Sequence, residues 1–90
     1  MPAPIPASAN AAAGAAVLRS AGCGGCHTLA AAGAGGQIGP NLDKLRPSFA
    51  QTRAQVEQGG GSMPSFRTTL TAAQIRDVAA FVAARAGTGG

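Results

Sequence analysis

Both cysteines and the only histidine of the chain fall in one stretch, Cys23-Gly24-Gly25-Cys26-His27. Thiols at i and i+3 stand one helical turn apart, so both can reach two vinyl groups on one edge of a porphyrin. The next residue can then point an imidazole at the iron beneath the ring. C-x-x-C-H is the spacing of covalent c-type haem attachment. The chemistry expected of Cys23 and Cys26 is two thioether bonds to one haem c, and of His27 an axial bond to the iron. A chain holding such a group must cover a large flat apolar disc, and it must either supply or refuse a sixth ligand.

A second ligand is offered by Ser62-Met63-Pro64-Ser65-Phe66. A methionine in a small protein is usually core filler. Here Pro64 pushes Met63 towards an extended backbone, and Gly59, Gly60 and Gly61 let the chain approach another group closely. A thioether held on such a loop suits a metal ligand from the second face of the ring. Between the two motifs, Gln37-Ile38-Gly39-Pro40-Asn41-Leu42 reads as a turn. A metal-bound histidine usually donates its other ring N–H to a fixed acceptor. The Pro40 carbonyl is the candidate acceptor, and Leu42 is a candidate to pack against the porphyrin.

Helices must position these residues. Asn10 is a good N-cap for a helix over 11–20, whose stripe is Gly14, Val17, Leu18 and Ala21. Gly14 weakens that helix by about 1 kcal/mol relative to Ala, a cost that makes sense if another helix comes close. Ser48 can cap Phe49 to Gln58, with Phe49, Thr52 and Val56 on one face and Arg53 beside them. Thr71-Ala72-Ala73-Gln74 is a capping box. After it Ile75, Val78, Ala79 and Val82 recur at helical spacing, with Phe81 at the edge of the stripe and Gly87 as the stop. The Gly14/Leu18 face is the natural partner of this last helix. Ala30 to Gly36 reads as a small uncharged loop near the haem edge. No segment has the period of a strand, so an all-α fold is expected.

Ninety residues make one domain, and a domain of this size buries only about 60 to 65% of its unfolded surface. Much of the 46% hydrophobic content is Ala, with three Phe and neither Trp nor Tyr. Such a chain needs a staple. A bound haem supplies the missing apolar area, and the form without it is expected to be largely unfolded. Residues 1–9 read as a flexible Pro/Ala-rich lead or linker, and residues 10–90 as the domain. The formal charge of +4 comes with no basic run and no interleaved aromatics, which argues against nucleic-acid binding. Met1 to Pro6 has no basic n-region and no apolar h-region. Since haem c is normally attached outside the cytoplasmic membrane, a periplasmic or otherwise extracytoplasmic location is expected. The protein would be either free after loss of a leader or tethered through a preceding segment.

In their order, Gly14 and Leu18, Cys23-Gly-Gly-Cys26-His27, Gly39-Pro40-Asn41-Leu42, Met63-Pro64-Ser65-Phe66 and a helix over Leu70–Ala86 resemble a small bacterial class I cytochrome c. The resemblance covers roughly residues 10–87. It implies three or four helices around one covalently bound haem, with the first and last helices crossing. It also implies thioethers at Cys23 and Cys26, axial bonds from His27 and Met63, and Pro40 as the carbonyl that holds His27. Leu18 stands where an aromatic is common and Phe81 where Tyr is common. With no Trp or Tyr to meet the propionates, Arg46, Arg53 and backbone amides are the candidates.

His/Met ligation fills all six iron positions and raises the reduction potential. The function expected is that of a one-electron carrier, not an enzyme, between respiratory or photosynthetic partners such as a membrane oxidase, a reductase or other cytochromes. Gly22, Gly24, Gly25, Ala30 to Ala32 and Ser62 would flank an exposed haem edge, suited to transient contacts below ~1,200 Å² by a monomer. Lys44, Arg46, Arg53 and Arg67 would ring that edge and steer an acidic partner. Three other readings compete. A dithiol redox enzyme usually places C-x-x-C in a βαβ pattern. A zinc site wants four ligands where two Cys and one His give three. A five-coordinate haem c sensor or peroxidase-like enzyme requires that Met63 does not bind, and it is the chief alternative.

Overall fold

Three polar side chains mark where the long helices begin. In the computed structural model, which describes residues 5, 6, 8–61 and 63–88, α1 spans Ala11–Ser20, and the Asn10 side chain accepts from the Ala13 N–H at 3.0 Å. A short α2 spans Leu42–Leu45, capped by Asn41. The third helix, α3, spans Phe49–Gln58 behind a capping box of Ser48 and Gln51. The last, α4, spans Ala72–Arg85 behind the same device made by Thr71 and Gln74. Each cap satisfies backbone N–H groups that would otherwise lack a partner, a contribution of about 1 kcal/mol apiece.

The frame is the crossing of α1 and α4, the most extensive helix contact, with α3 packed on α4 from another side. A Cβ built on Gly14 would overlap the Asp77 carbonyl oxygen and come within 2.9 Å of the Phe81 Cβ. No larger residue allows the two backbones to lie so close. Asp77 secures the same junction by accepting from the Asn10 N–H at 2.9 Å. Val17, Leu18, Leu29, Val56, Ile75, Val78, Phe81 and Val82 form the main buried cluster. Burying each of the larger aliphatic side chains is worth about 1.5–3 kcal/mol.

A second cluster joins Phe49, Ala79 and Ala80, and Ile5 and Ala9 pack against it. The lead is therefore not wholly detached from the domain, although residues 1–4 and 7 lie outside the described residues. The fold is predominantly helical, as expected, with three departures in detail. Thr28–Leu29 (β1) and Ala34–Gly35 (β2) pair antiparallel, Thr28 opposite Gly35 and Leu29 opposite Ala34. Two-residue strands are too short to leave an alternating pattern in sequence. Residues 37–42 read as a turn, and its end opens α2. Ala31 and Ala32, expected at an exposed haem edge, pack against the main core, as does Ala34 beyond them. Ser62, expected there too, lies outside the described residues.

Candidate cofactor site

The stretch after α1 is folded by its own backbone. Ala21 and Gly22 close α1, and Cys23–Gly25 make a 3-10 turn in which the Cys26 and His27 N–H groups both donate to the Cys23 carbonyl, at 3.2 and 3.0 Å. This turn brings Cys23, Cys26 and His27 to the wall of one cavity. The thiols are not joined to each other. Burial pushes the Cys23 thiol above its ordinary value, outweighing a backbone hydrogen bond that acts the other way. The segment between β2 and α2 then wraps the turn. Gly36 N–H lies 3.2 Å from the carbonyls of Gly24 and His27, and Gly39 N–H donates to Cys26 at 2.6 Å.

His27 Nδ1 lies 2.9 Å from the Pro40 carbonyl oxygen. A carbonyl only accepts, so Nδ1 carries the proton of this hydrogen bond, and Nε2 is the nitrogen left for a metal. Gly39 backs the ring, and a Cβ there would come within 2.5 Å of His27 Cε1 and 2.8 Å of Nδ1. The ring is thus fixed by a hydrogen bond and by a backbone pressed against it.

Met63 is brought in by a separate device, the C-terminus of α3. Gly59, Gly60 and Gly61 have φ of 69°, 149° and 57°, a run that side-chain-bearing residues rarely adopt. Gly60 and Met63 exchange two backbone hydrogen bonds, both 2.9 Å. Beyond Met63 the chain runs back along α3 and caps its last turn. Phe66 N–H donates to the Val56 carbonyl at 2.9 Å, and Ser65 Oγ donates to the Glu57 carbonyl at 2.5 Å.

Cys23, Cys26, His27, Pro40, Leu42 and Met63 all line one cavity of about 740 Å³. Leu18, Val56, Phe66, Val78 and Val82 supply apolar walls. Ile38 and Leu45, 73% and 58% exposed, line it as well. A volume of this size, two thiols in the lining, two potential metal donors and apolar walls together suit a flat macrocycle with a metal at its centre. Cys23 and Cys26 would hold it covalently, and His27 and Met63 are the donors within reach. Among the described residues no group of three His, Cys, Asp or Glu could hold a bare metal ion, so the zinc reading finds no support.

Neither arginine considered for the propionates lines the cavity. Arg53 pairs with Glu57 at 2.9 Å, and the Arg46 guanidinium lies against Gly87. The neutral polar lining comes instead from Gln51, Thr52 and Gln55. Sequence reasoning passed over the two glutamines, although 51, 52 and 55 share a helix face with the buried Val56. It also passed over Asp43, whose carboxylate accepts from the Ala30 N–H at 2.9 Å and the Gly87 N–H at 2.8 Å. Those donors lie far apart in sequence, and no local pattern links them.

Residues 9–82 match a family model described as cytochrome c oxidase, cbb3-type, subunit III. Among solved structures, the chain is similar to the c-type cytochrome SorU from Sinorhizobium meliloti, at 40% identity and a TM-score of 0.78, over 84% of this chain and 90% of that one. No curated protein matches.

Proposed function

Because the chain belongs to this cytochrome c family, as a small monohaem class I member with haem c bound covalently through Cys23 and Cys26, we propose that it is a one-electron carrier with His27 and Met63 as axial ligands. The observation that carries the reading is that Met63 and His27 line the same cavity from independent segments. Bound haem supplies a one-electron iron couple. The chain's own work is to hold both axial donors, exclude water with Leu18, Val56, Val78 and Val82, and keep rearrangement small. His27, with its ring held by the Pro40 carbonyl, would present the same imidazole in both oxidation states. Met63, held beside the end of α3, would fill the position that an oxygen-activating or sensing protein would leave open, which favours a carrier over a catalyst.

The partners are redox proteins of an electron-transport chain, met transiently by a monomer beside the cavity. The location is periplasmic or otherwise extracytoplasmic, the compartment in which haem c is attached. No helix among the described residues is long and apolar enough to cross a membrane.

The test is Met63→Ala, read by visible spectra and potentiometry of the purified holoprotein. Wild type should be low-spin and slow to bind added ligands when reduced. The variant should have a markedly lower potential and an iron open to imidazole or carbon monoxide. Identical spectra and potential in the two proteins would remove Met63 as a ligand. High-spin ferric iron in wild type would favour the five-coordinate sensor or peroxidase-like alternative.

A further inference from the structure

The segment carrying His27 and the segment carrying Pro40 are tied together at one constant offset. Gly39 N–H donates to the Cys26 carbonyl at 2.6 Å, His27 Nδ1 lies 2.9 Å from the Pro40 carbonyl oxygen, and Ala30 N–H donates to Asp43 Oδ2 at 2.9 Å. The last two ties each span 13 residues. Between them Leu29 is wholly buried and Leu42 packs against the same core. The other Asp43 oxygen accepts from the Gly87 N–H at 2.8 Å, which anchors the second segment to the chain beyond α4. We propose that Asp43 is a positioning residue for His27, clamping residues 40–43 against residues 27–30 so that the Pro40 carbonyl stays on the imidazole, and thereby favouring the oxidised state of the iron.

The physical argument has two parts. The first concerns where the Pro40 carbonyl points. The proline ring fixes φ and leaves ψ free, and the carbonyl lies on the Asn41 side of the ring. The Gly39 tie therefore does not set its rotation, whereas the tie beyond it does. Residues 41–44 are one piece, since the Asn41 side chain accepts from the Asp43 and Lys44 N–H groups at 3.0 and 3.3 Å. Asp43 holds that piece to the histidine segment. An ionised carboxylate accepts at both oxygens, and its hydrogen bonds are stronger than those of a neutral acceptor. Gly87, at φ 78°, turns the chain just past α4, where its N–H meets the carboxylate. The second part concerns the metal. An acceptor on the free N–H of a ligating histidine raises the basicity of the ring. A more basic imidazole favours ferric iron over ferrous, so loosening Pro40 from the ring favours reduction.

The inference rests on His27 as a ligand. The experiment compares wild type, Asp43→Ala and Gly14→Ala as holoproteins, the last of which loosens the fold at the α1–α4 crossing instead. At a fixed ambient potential, Asp43→Ala should raise the ratio of reduced to oxidised protein about threefold, the scale of one weakened hydrogen bond. Gly14→Ala should leave the ratio as it is. The rise should persist in about 1 M salt, where the mere loss of a surface charge is screened. An unchanged ratio, a rise that salt abolishes, or an equal rise in Gly14→Ala would overturn the proposal. Ligation is read separately, from nuclear magnetic resonance of ferric wild type, in which the His27 ring protons should be strongly shifted by the iron. Ordinary shifts would mean that the ligation fails, and the role of Asp43 at the iron with it. Wild type also decides if the alanine variant does not mature. Its Ala30 amide and His27 Nδ1 protons should be protected from exchange to the same degree, and a freely exchanging Ala30 amide would overturn the proposal.

Discussion

Gly14 in α1 lies flush against the backbone carbonyl of Asp77 in α4, so that even one added carbon would overlap that oxygen. Alanine at position 14 would improve helix propensity by about 1 kcal/mol. Overpacking at a backbone-to-backbone contact costs about 1–3 kcal/mol, so the contact should win. Gly14→Ala is expected to lower the stability of the holoprotein and Gly14→Val to lower it further, as read by urea denaturation. A stabilised alanine variant would show that the helices do not approach so closely in solution.

Asp43 ties the start of the Ala30–Ala32 turn to the residues that follow α4. Its carboxyl is held below the ordinary carboxylate value, chiefly by the Gly87 N–H, then by the Ala30 N–H, with the nearby Arg46 charge adding to them. A depressed folded-state value means that its stabilising contribution is fully present above the unfolded value of about 3.9. The contribution is lost as pH falls through the folded value. Asp43→Asn should therefore be less stable than wild type at neutral pH, with the gap closing in acid below about pH 4. Denaturation midpoints measured against pH test this, and two parallel curves would contradict it.

The backing of the imidazole by Gly39 predicts an effect on the metal rather than on the fold. Gly39→Ala should displace the His27 ring and weaken its hydrogen bond to Pro40. Losses at such supporting contacts run to about 10–100-fold in metal affinity or activity. The ferric electron paramagnetic resonance signal of the variant should shift from that of wild type. An identical signal would mean that the ring accommodates the methyl group without moving.

Covalent attachment is tested by Cys23→Ala combined with Cys26→Ala. That protein should lose its haem on denaturing electrophoresis, where wild type should keep it. Retention by the double variant would contradict thioether bonding at these positions.

Steering by charge should be modest. Of the four exposed cations expected around the haem edge, Arg53 is already paired with Glu57. Screening acts over about 8 Å at physiological ionic strength. The rate of electron transfer to an acidic partner should fall with added salt, and Lys44→Ala should make that fall shallower. A rate independent of salt would remove the steering role.

The helices were legible because their punctuation is local. Asn10, Ser48 and the pair Thr71 and Gln74 each mark a helix start within four residues of sequence. The placement of Pro40 beside His27 was legible for a different reason. A metal-binding imidazole needs an acceptor, and a proline-fixed turn was the natural one to supply it. α2 was not legible, since four residues carry less than two turns of periodicity. The inward turn of Ala31 and Ala32 was hidden because alanine suits core and surface alike. Asp43 was missed because it acts on groups that only the tertiary fold brings near.

The seating of Met63 on the last turn of α3 makes the two sides of the cavity unequal in what they depend on. His27 follows directly from a covalently anchored turn and, as the proposed ligand, would stay beside the iron in a partly unfolded chain. Met63 depends on contacts that unfolding removes, its paired hydrogen bonds with Gly60 and the hold of Phe66 and Ser65 on α3. If Met63 is the ligand proposed above, loosening of that seat would cost the iron its sixth ligand and lower the potential. On that ligation the thioether would act as a fuse, lowering the potential of a damaged carrier before its surface meets a partner.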